Sequence, residues 1–370
     1  MIITELQLIN FRNYKQLNLH PDPNVNILFG FNAQGKTNLL EAIYCLATTR
    51  SSRNNKDREL ISWDSSYYHI KGTVQRKINS VDLEIDYQEN GQKLLKIAGI
   101  KQTKLPDYIG ALSVVLFSPE ELVIVKGGPK ERRKFLDLAI TQVSKSYTYL
   151  LIKYSKVVEQ RNFFLKGRRE SNKNEDTLEI WDAQLVSYGS KILHKRFEII
   201  RKMALLAKQN YYQIAAGKEK LEIKYLCSIS AKPDMTVNEI ENWFIKQLLE
   251  SKQAEFSRGM TLVGPHRDDL IFYIDGAEAR LYGSQGQQRT IALALKLAEL
   301  EIIKGETGEY PVLLLDDVLS ELDNLRRHYL ITAVQKKLQT FITTTNLEFI
   351  DSSLFSAFKT IRVDDGKLFF

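Results

Sequence analysis

Gly30, Phe31, Asn32, Ala33, Gln34, Gly35, Lys36 and Thr37 satisfy the spacing G-x-x-x-x-G-K-[ST]. In that pattern, backbone N–H groups and a helix start surround phosphate oxygens. The Lys36 ammonium then reaches the β- and γ-phosphates, and the Thr37 hydroxyl ligates Mg²⁺. Far along the chain, Asp316 and Asp317 follow an apolar run at 312–315. Asp316 completes the Mg²⁺ shell with Thr37, and Asp317 is placed to orient or deprotonate an attacking water. The chemistry is phosphoryl chemistry on ATP, with Lys36, Asp316 and Asp317 as its candidate catalytic groups. Ser284, Gly286 and Gln287 open another helical stretch and form a second anion-sized site. One phosphate loop already cradles the nucleotide. The second helix start therefore implies contact with the nucleotide of another copy, which makes ATP the link of a symmetric homodimer.

The elements that must carry these groups are a strand before the loop (25–29) and a helix after it (39–46). Four apolar residues ending in a carboxylate pair describe a buried parallel strand that delivers Asp316 and Asp317 to the C-terminal edge of a sheet. Residues 341–345 read as one more such strand. At the N-terminus, 1–19 alternates as strands of a sheet edge, broken at 10–14. Arg12 stands at the break, either as a solvated turn residue or as a cation facing nucleotide phosphate. Residues 67–101 alternate around a turn at 89–91, an antiparallel meander. A short buried strand at 112–117 follows, and Pro119 opens a helix.

From Phe135 the apolar period lengthens to three and four. Two long amphipathic helices are predicted, 135–164 and 181–206, each about 45 Å long at 1.5 Å per residue. The polar stretch 167–176 folds them into a hairpin. A strand at 221–229 and a helix at 237–256 belong to the same lobe. The expected fold class is therefore α/β: an ATPase head in two parts, residues 1–125 and 259–370, separated by an inserted, mainly helical lobe at 126–258.

With 370 residues and 44% hydrophobic content, the chain can build two or three domains. It shows no leader pattern and no apolar run of membrane-span length, so a soluble cytoplasmic protein without a membrane partner is expected. Two cysteines, Cys45 and Cys227, supply neither a disulfide framework nor a paired-Cys zinc site. Net charge is +7, yet residues 126–220 hold 21 Lys and Arg against 10 Asp and Glu, leaving the rest of the chain net negative by four. The positive field is local, as a nucleic-acid footprint is. The basic run 50–58 is either a solvated loop or a carrier of DNA backbone phosphates.

Taken together, these residues resemble an ABC-type ATPase head of the SMC branch, and more closely the RecF family of bacterial recombination mediators. The resemblance rests on residues 10–14, the Walker A run 30–37, 116–122, 264–269, the signature-like 284–288, the Walker B acids Asp316 and Asp317, the D-loop-like 320–323, and 343–345. It implies an ATP- and Mg²⁺-dependent, DNA-binding homodimer of recombinational repair and replication. Such a dimer acts at single-strand gaps and duplex junctions, helps RecO and RecR load RecA, and supports the SOS response. Three departures from the wider ABC pattern bear on hydrolysis. Gly283 and Gln285 replace a leucine and a glycine of the usual signature, Asp317 stands where most relatives carry glutamate, and Thr345 where transporters place histidine. They imply a weak, DNA-dependent ATPase whose nucleotide times DNA residence more than it drives motion. His266 reads as structural. The alternative is another SMC- or ABC-type subunit that does not act on DNA.

Overall fold

The computed structural model describes residues 1–53, 56–167, 176–334, 338–347 and 358–370. Its centre is a six-stranded sheet in the order Lys367–Phe369, Phe358–Asp364, Val25–Phe29, Thr340–Thr344, Val312–Asp316, Val114–Phe117. All neighbours run parallel except the first pair. Four of these strands, Val25–Phe29, Thr340–Thr344, Val312–Asp316 and Val114–Phe117, meet from distant parts of the sequence because each is buried on both faces. Val312 and Leu314 enter one core while Leu313 and Leu315 enter the other; Val114 and Val115 divide in the same way.

The phosphate-loop helix, Lys36–Thr48, is buried almost all round. It lies between the parallel sheet and a six-stranded antiparallel one, ordered Tyr14–Leu19, Ile2–Phe11, Tyr67–Gln75, Ser80–Gln88, Lys93–Ile97, Ile100–Gln102. Leu39 and Ile43 of the helix share one core with Leu6, Ile70, Leu83, Leu314 and Phe341. Each such side chain contributes roughly 1.5–3 kcal/mol by leaving water. The break expected at 10–14 is a tight hairpin turn that pairs Phe11 with Tyr14. Its first strand lies inside the sheet, against Tyr67–Gln75, and only the second lies at the edge.

The opposite face of the parallel sheet is covered by the Gln285–Thr307 helix and by the helical lobe. The single helix expected at 135–164 is corrected to two, Pro129–Thr141 and Lys145–Gly167. Competing polar groups end the first one. Gln142 turns its side-chain oxygen to the Val114 N–H (2.7 Å), and the Ser144 hydroxyl accepts from the Tyr147 N–H (3.2 Å), restarting the helix as an N-cap does. The return helix, Asp176–Ile214, has 39 residues, about 58 Å at 1.5 Å per residue and longer than expected. The polar connection expected between the arms falls at 168–175, outside the described residues. Val237–Arg258 closes the lobe and begins with a capping box between Thr236 and Glu239.

A third sheet crosses the expected boundary at 258/259. Leu221–Leu226 of the lobe pairs antiparallel with Asp269–Ile274, which pairs in turn with Ala277–Glu278. Two buried arginines fasten the same region. Arg161 donates to Asp182 (2.6 Å), Glu255 (2.7 Å) and Thr261 (3.0 Å). Arg196 donates to Asp137 (2.8 Å), to the Tyr147 and Tyr225 hydroxyls (3.0 and 3.1 Å) and to the Pro265 carbonyl (2.6 Å). Among the described residues, no helix is long and apolar enough to cross a membrane.

Candidate nucleotide site

The loop at 30–37 leaves the end of Val25–Phe29 and enters the Lys36–Thr48 helix, the strand–loop–helix order its glycines require. Gly30 has φ +150°, and a Cβ there would come within 2.3 Å of the Val363 carbonyl oxygen on the neighbouring strand. Gly35 has φ +115°, with the Asn13 side chain 2.6 Å from where a Cβ would sit. A side chain is therefore shut out at Gly30 by backbone, and at Gly35 it would meet a φ that other residues adopt only with strain. The loop is also held from outside. Tyr14 donates its hydroxyl to the Gly35 carbonyl (3.0 Å), Asn13 its amide to the Gln34 carbonyl (2.9 Å), and Asp365 its N–H to the Gln34 side chain (2.6 Å). Phe31, Asn32 and Ala33 form the exposed tip.

Lys36 reaches back over this loop and donates to the carbonyls of Gly30 and Phe31, both at 2.7 Å. Burial pulls its ammonium below the ordinary lysine value, an effect that the carboxylates of Asp317 and Asp316 oppose. The Thr37 hydroxyl donates to Asp316 Oδ1 at 2.8 Å, across 279 residues of chain. Thr343, on the strand between the two, also donates to Asp316 Oδ1 (2.7 Å) and accepts the Asp317 N–H (2.9 Å). Asp317 itself has φ +51°, the left-handed region, and so turns sharply off the strand end. Ser320 donates to its carbonyl (2.8 Å) and to its carboxylate (3.2 Å). Lys36, Thr37, Asp316 and Asp317 are thus brought into one site. A hydroxyl and a carboxylate one hydrogen bond apart fit Mg²⁺, which takes one or two protein ligands and completes its shell with phosphate and water oxygens.

Arg12 stands in the hairpin turn as a paired cation, not as a solvated one. With φ +54° it holds the hairpin turn, and its guanidinium donates to both oxygens of buried Glu41 (2.9 and 3.0 Å) and to the Glu59 carbonyl (2.9 Å). Glu41 follows Thr37 by one helical turn and also accepts the Ser51 hydroxyl (2.5 Å). The basic run beginning at Arg50 is therefore tied to the phosphate-loop helix; its Arg58 pairs with Glu89, and residues 54 and 55 lie outside the described residues.

Ser284 caps the Gln285–Thr307 helix in a capping box with Gln287, hydroxyl to Gln287 N–H at 3.2 Å and Ser284 N–H to the Gln287 side chain at 2.8 Å. Gln287 also donates to Glu219 (2.8 Å). Among the described residues, no hydrogen bond joins Ser284, Gly286 or Gln287 to residues 30–37, and Ser284 is exposed. Sequence reasoning did not assign Thr343, Glu41 or Arg326, which hold the acids, the hairpin and the capped helix start. Only Thr343 carried a signal, as a hydroxyl near the end of the predicted strand at 341–345.

His266 belongs to the lobe. Its ring contacts the Tyr154 hydroxyl (2.7 Å) and the Thr261 carbonyl (3.3 Å). Burial pushes its pKa down to about 3; the Thr261 carbonyl opposes this, and Arg267, Arg133 and Arg196 add to it. Above pH about 6.5 neither the folded nor the unfolded chain protonates this ring. Between there and pH 3 only the unfolded chain does, so stability falls with falling pH by up to ~1.4 kcal/mol per unit. His266→Gln is expected to flatten that slope, read as urea midpoints from pH 7 to 4; a slope equal to that of the parent chain would contradict it.

Comparison with known proteins matches this geometry. The family model described as "RecF/RecN/SMC N terminal domain" matches residues 2–367. The DNA replication and repair protein RecF of Bacillus mycoides (strain KBAB4) is 47% identical over 367 residues, covering 99% of this chain and 98% of that one. A solved structure of the recombination mediator RecF with ATP, in the RecFOR pathway, superposes with TM-score 0.91 at 39% identity, covering 100% of this chain and 97% of the other. An SMC head bound to the C-terminal winged-helix domain of ScpA shares the fold, with TM-score 0.56 at 15% identity and coverage of 100% and 96%. A phosphate loop, a strand-borne acid pair and a capped helix start on this head fold, matched from end to end at such identity, place the chain in the RecF family.

Proposed function

We propose that the chain is an ATP-dependent, DNA-binding recombination mediator whose nucleotide gates a homodimer. The observation that carries this reading is the hydrogen-bonded run Thr37–Asp316–Thr343–Asp317, which fixes the phosphate-loop helix and both acids as one unit. ATP phosphates lie against the N–H groups of residues 30–37, and the Lys36 ammonium exchanges the Gly30 and Phe31 carbonyls for phosphate oxygens. Thr37 and Asp316 hold Mg²⁺, which neutralises charge developing on the phosphates. Asp317 orients water for attack. Ser284, Gly286 and Gln287 of the second copy complete the site, so closure of the dimer and occupancy by ATP are one event. Aspartate reaches less far than glutamate, which suits slow, DNA-dependent turnover. The ATP-bound dimer acts at single-strand gaps and junctions with duplex, helps RecO and RecR load RecA, and supports SOS induction. The local positive charge of the lobe contacts backbone phosphates without reading sequence.

The test is mass by light scattering with ATP and Mg²⁺, with and without gapped duplex, for the parent chain and for Ser284→Arg. A dimer is expected for the parent chain alone, strengthened by DNA, while the variant binds ATP as a monomer. Losing the Ser284 cap costs only about 1 kcal/mol, too little to unfold a 23-residue buried helix. A Ser284→Arg dimer would refute the in-trans site, and a dimer indifferent to DNA would favour an SMC-type subunit not acting on DNA.

A further inference from the structure

On the reading that two copies close over ATP, something must hold the Ser284 turn at a fixed offset from Asp317, because the two would serve opposite nucleotides of one dimer. The chain leaves Asp317 through the short turn Val318–Glu321 and enters the Asn324–Val334 helix. From that helix Arg326 reaches back to the first turn of the Gln285–Thr307 helix. Its Nε donates to the Thr290 hydroxyl (2.8 Å), its Nη2 to the Gly286 carbonyl (3.1 Å), and its Nη1 to the Asp323 carboxylate. Thr290 donates its own proton to the Gly286 carbonyl (2.8 Å), so guanidinium and hydroxyl converge on one backbone oxygen. Asp323 accepts the Arg326 N–H (2.9 Å), which fixes where the arginine starts.

Two further facts set this contact apart from an incidental surface pair. A Cβ on Gly286 would stand 3.3 Å from Arg326 Nη2, so the residue lacks a side chain where the guanidinium approaches. A cation beside a helix N-terminus also lies at the unfavourable end of the helix dipole. Here three directional acceptors, one of them a carboxylate, keep it there. An open cavity of about 500 Å³ is lined by Ser284, Gly286, Gln287, Thr290, Asp323 and Arg326. Lys218 and the carboxylates of Glu219 and Asp323 line the same space, so helix start and guanidinium face a cavity of mixed charge. Arg289 makes a parallel tie further along, from the same helix to the Glu321 carbonyl (2.6 Å) and carboxylate (2.9 Å).

We propose that Arg326 is a positioning residue for the phosphate chain bound in trans: it locks the Ser284 turn to the segment that follows Asp317. The helix start facing one nucleotide and the acid facing the other then move as a single rigid lip. The proposal rests on the dimer reading above and goes beyond it by naming what sets the lip's geometry.

The test uses the full chain with Arg326→Ala, Arg326→Lys, Gly286→Ala, and Gly286→Ala combined with Arg326→Ala. Three quantities are read: affinity of the monomer for a fluorescent ATP analogue, thermal midpoint, and dimer dissociation constant by sedimentation in ATP and Mg²⁺. Arg326→Ala is expected to keep monomer affinity within about twofold and to weaken the dimer by about tenfold or more, as loss of hydrogen bonds to a charged group does. Lysine restores only a minor part, since one ammonium cannot span three fixed acceptors. Gly286→Ala weakens the dimer in the parent chain but adds little once Arg326 is gone, because both act on one contact. A parent-like dimer for Arg326→Ala, additive effects of the two substitutions, or a loss of monomer nucleotide affinity would each overturn the proposal; a thermal midpoint lowered by a few degrees is expected from the lost hydrogen bonds. A parent chain that never dimerises refutes the dimer reading itself and is recognised before any variant is compared.

Discussion

Lys36→Met is expected to abolish measurable ATP binding and, with it, ATP-driven dimerisation. The lysine stem is buried, and methionine fills nearly the same volume, so the loop at 30–37 keeps its shape. What disappears is the ammonium, now 2.7 Å from the Gly30 and Phe31 carbonyls and free to exchange them for phosphate oxygens. Each hydrogen bond to a charged partner is worth about 1.5–3 kcal/mol, so losing two lowers affinity by roughly 10²–10⁴-fold. Isothermal titration with ATP and Mg²⁺ reads this directly, and affinity within tenfold of the parent chain would refute the role. Asp317→Asn is the matched control. Its amide can still accept from Ser320, so binding persists, but the water loses its base and the dimer outlives that of the parent. Ordinary turnover in that variant would remove Asp317 from the chemistry.

The second large effect is expected on stability. Arg196→Met removes a guanidinium that is 1% exposed, takes the arginine donor from the Pro265 carbonyl and leaves the Asp137 carboxylate with the Tyr147 hydroxyl (2.5 Å) in place of a cation. Breaking one side of a buried ion pair costs about 3–5 kcal/mol. The loss falls on the joint between the long Asp176–Ile214 helix, the Pro129–Thr141 helix and the segment that carries His266. Urea unfolding followed by circular dichroism should show a midpoint shifted well below that of the parent chain. An unshifted midpoint would show that the Tyr147 hydroxyl satisfies Asp137 without the arginine.

The phosphate loop, the acid pair and the divided head were legible because each rests on local chemistry: glycines where φ is positive, apolar runs of strand length, a carboxylate at a strand end. The helix break at 142–144 was not legible. Apolar residues continue through it in period, and only the tertiary partner of Gln142, the Val114 N–H, reveals why the helix stops. Arg12 is ambiguous in the sequence for a similar reason: nothing in the spacing marks Glu41, a lone acid within the apolar run 39–46, as its partner. The strand Phe358–Asp364 carries only two buried residues among exposed ones and gave little signal, yet it supplies the carbonyl that makes Gly30 obligatory. The third sheet pairs residues on both sides of the boundary drawn at 258/259, where composition changes but hydrogen bonding does not.

The 279 residues between Thr37 and Asp316 also have a meaning in time. At 5–20 residues per second, ribosomes deliver the acid roughly 15–55 s after the loop it serves. During that interval the Val25–Phe29 strand has neither of its two parallel-sheet neighbours, Thr340–Thr344 and Phe358–Asp364, and its helix lacks the wall formed by Leu314 and Phe341. The antiparallel sheet, by contrast, is encoded within the first 102 residues and needs only short closures. All strands of the antiparallel sheet are therefore present in sequence while the loop at 30–37 still lacks Asp316. Strand order thus sets the timing of the site: Thr37 and Lys36 are in place long before the strand that brings Asp316 has been made.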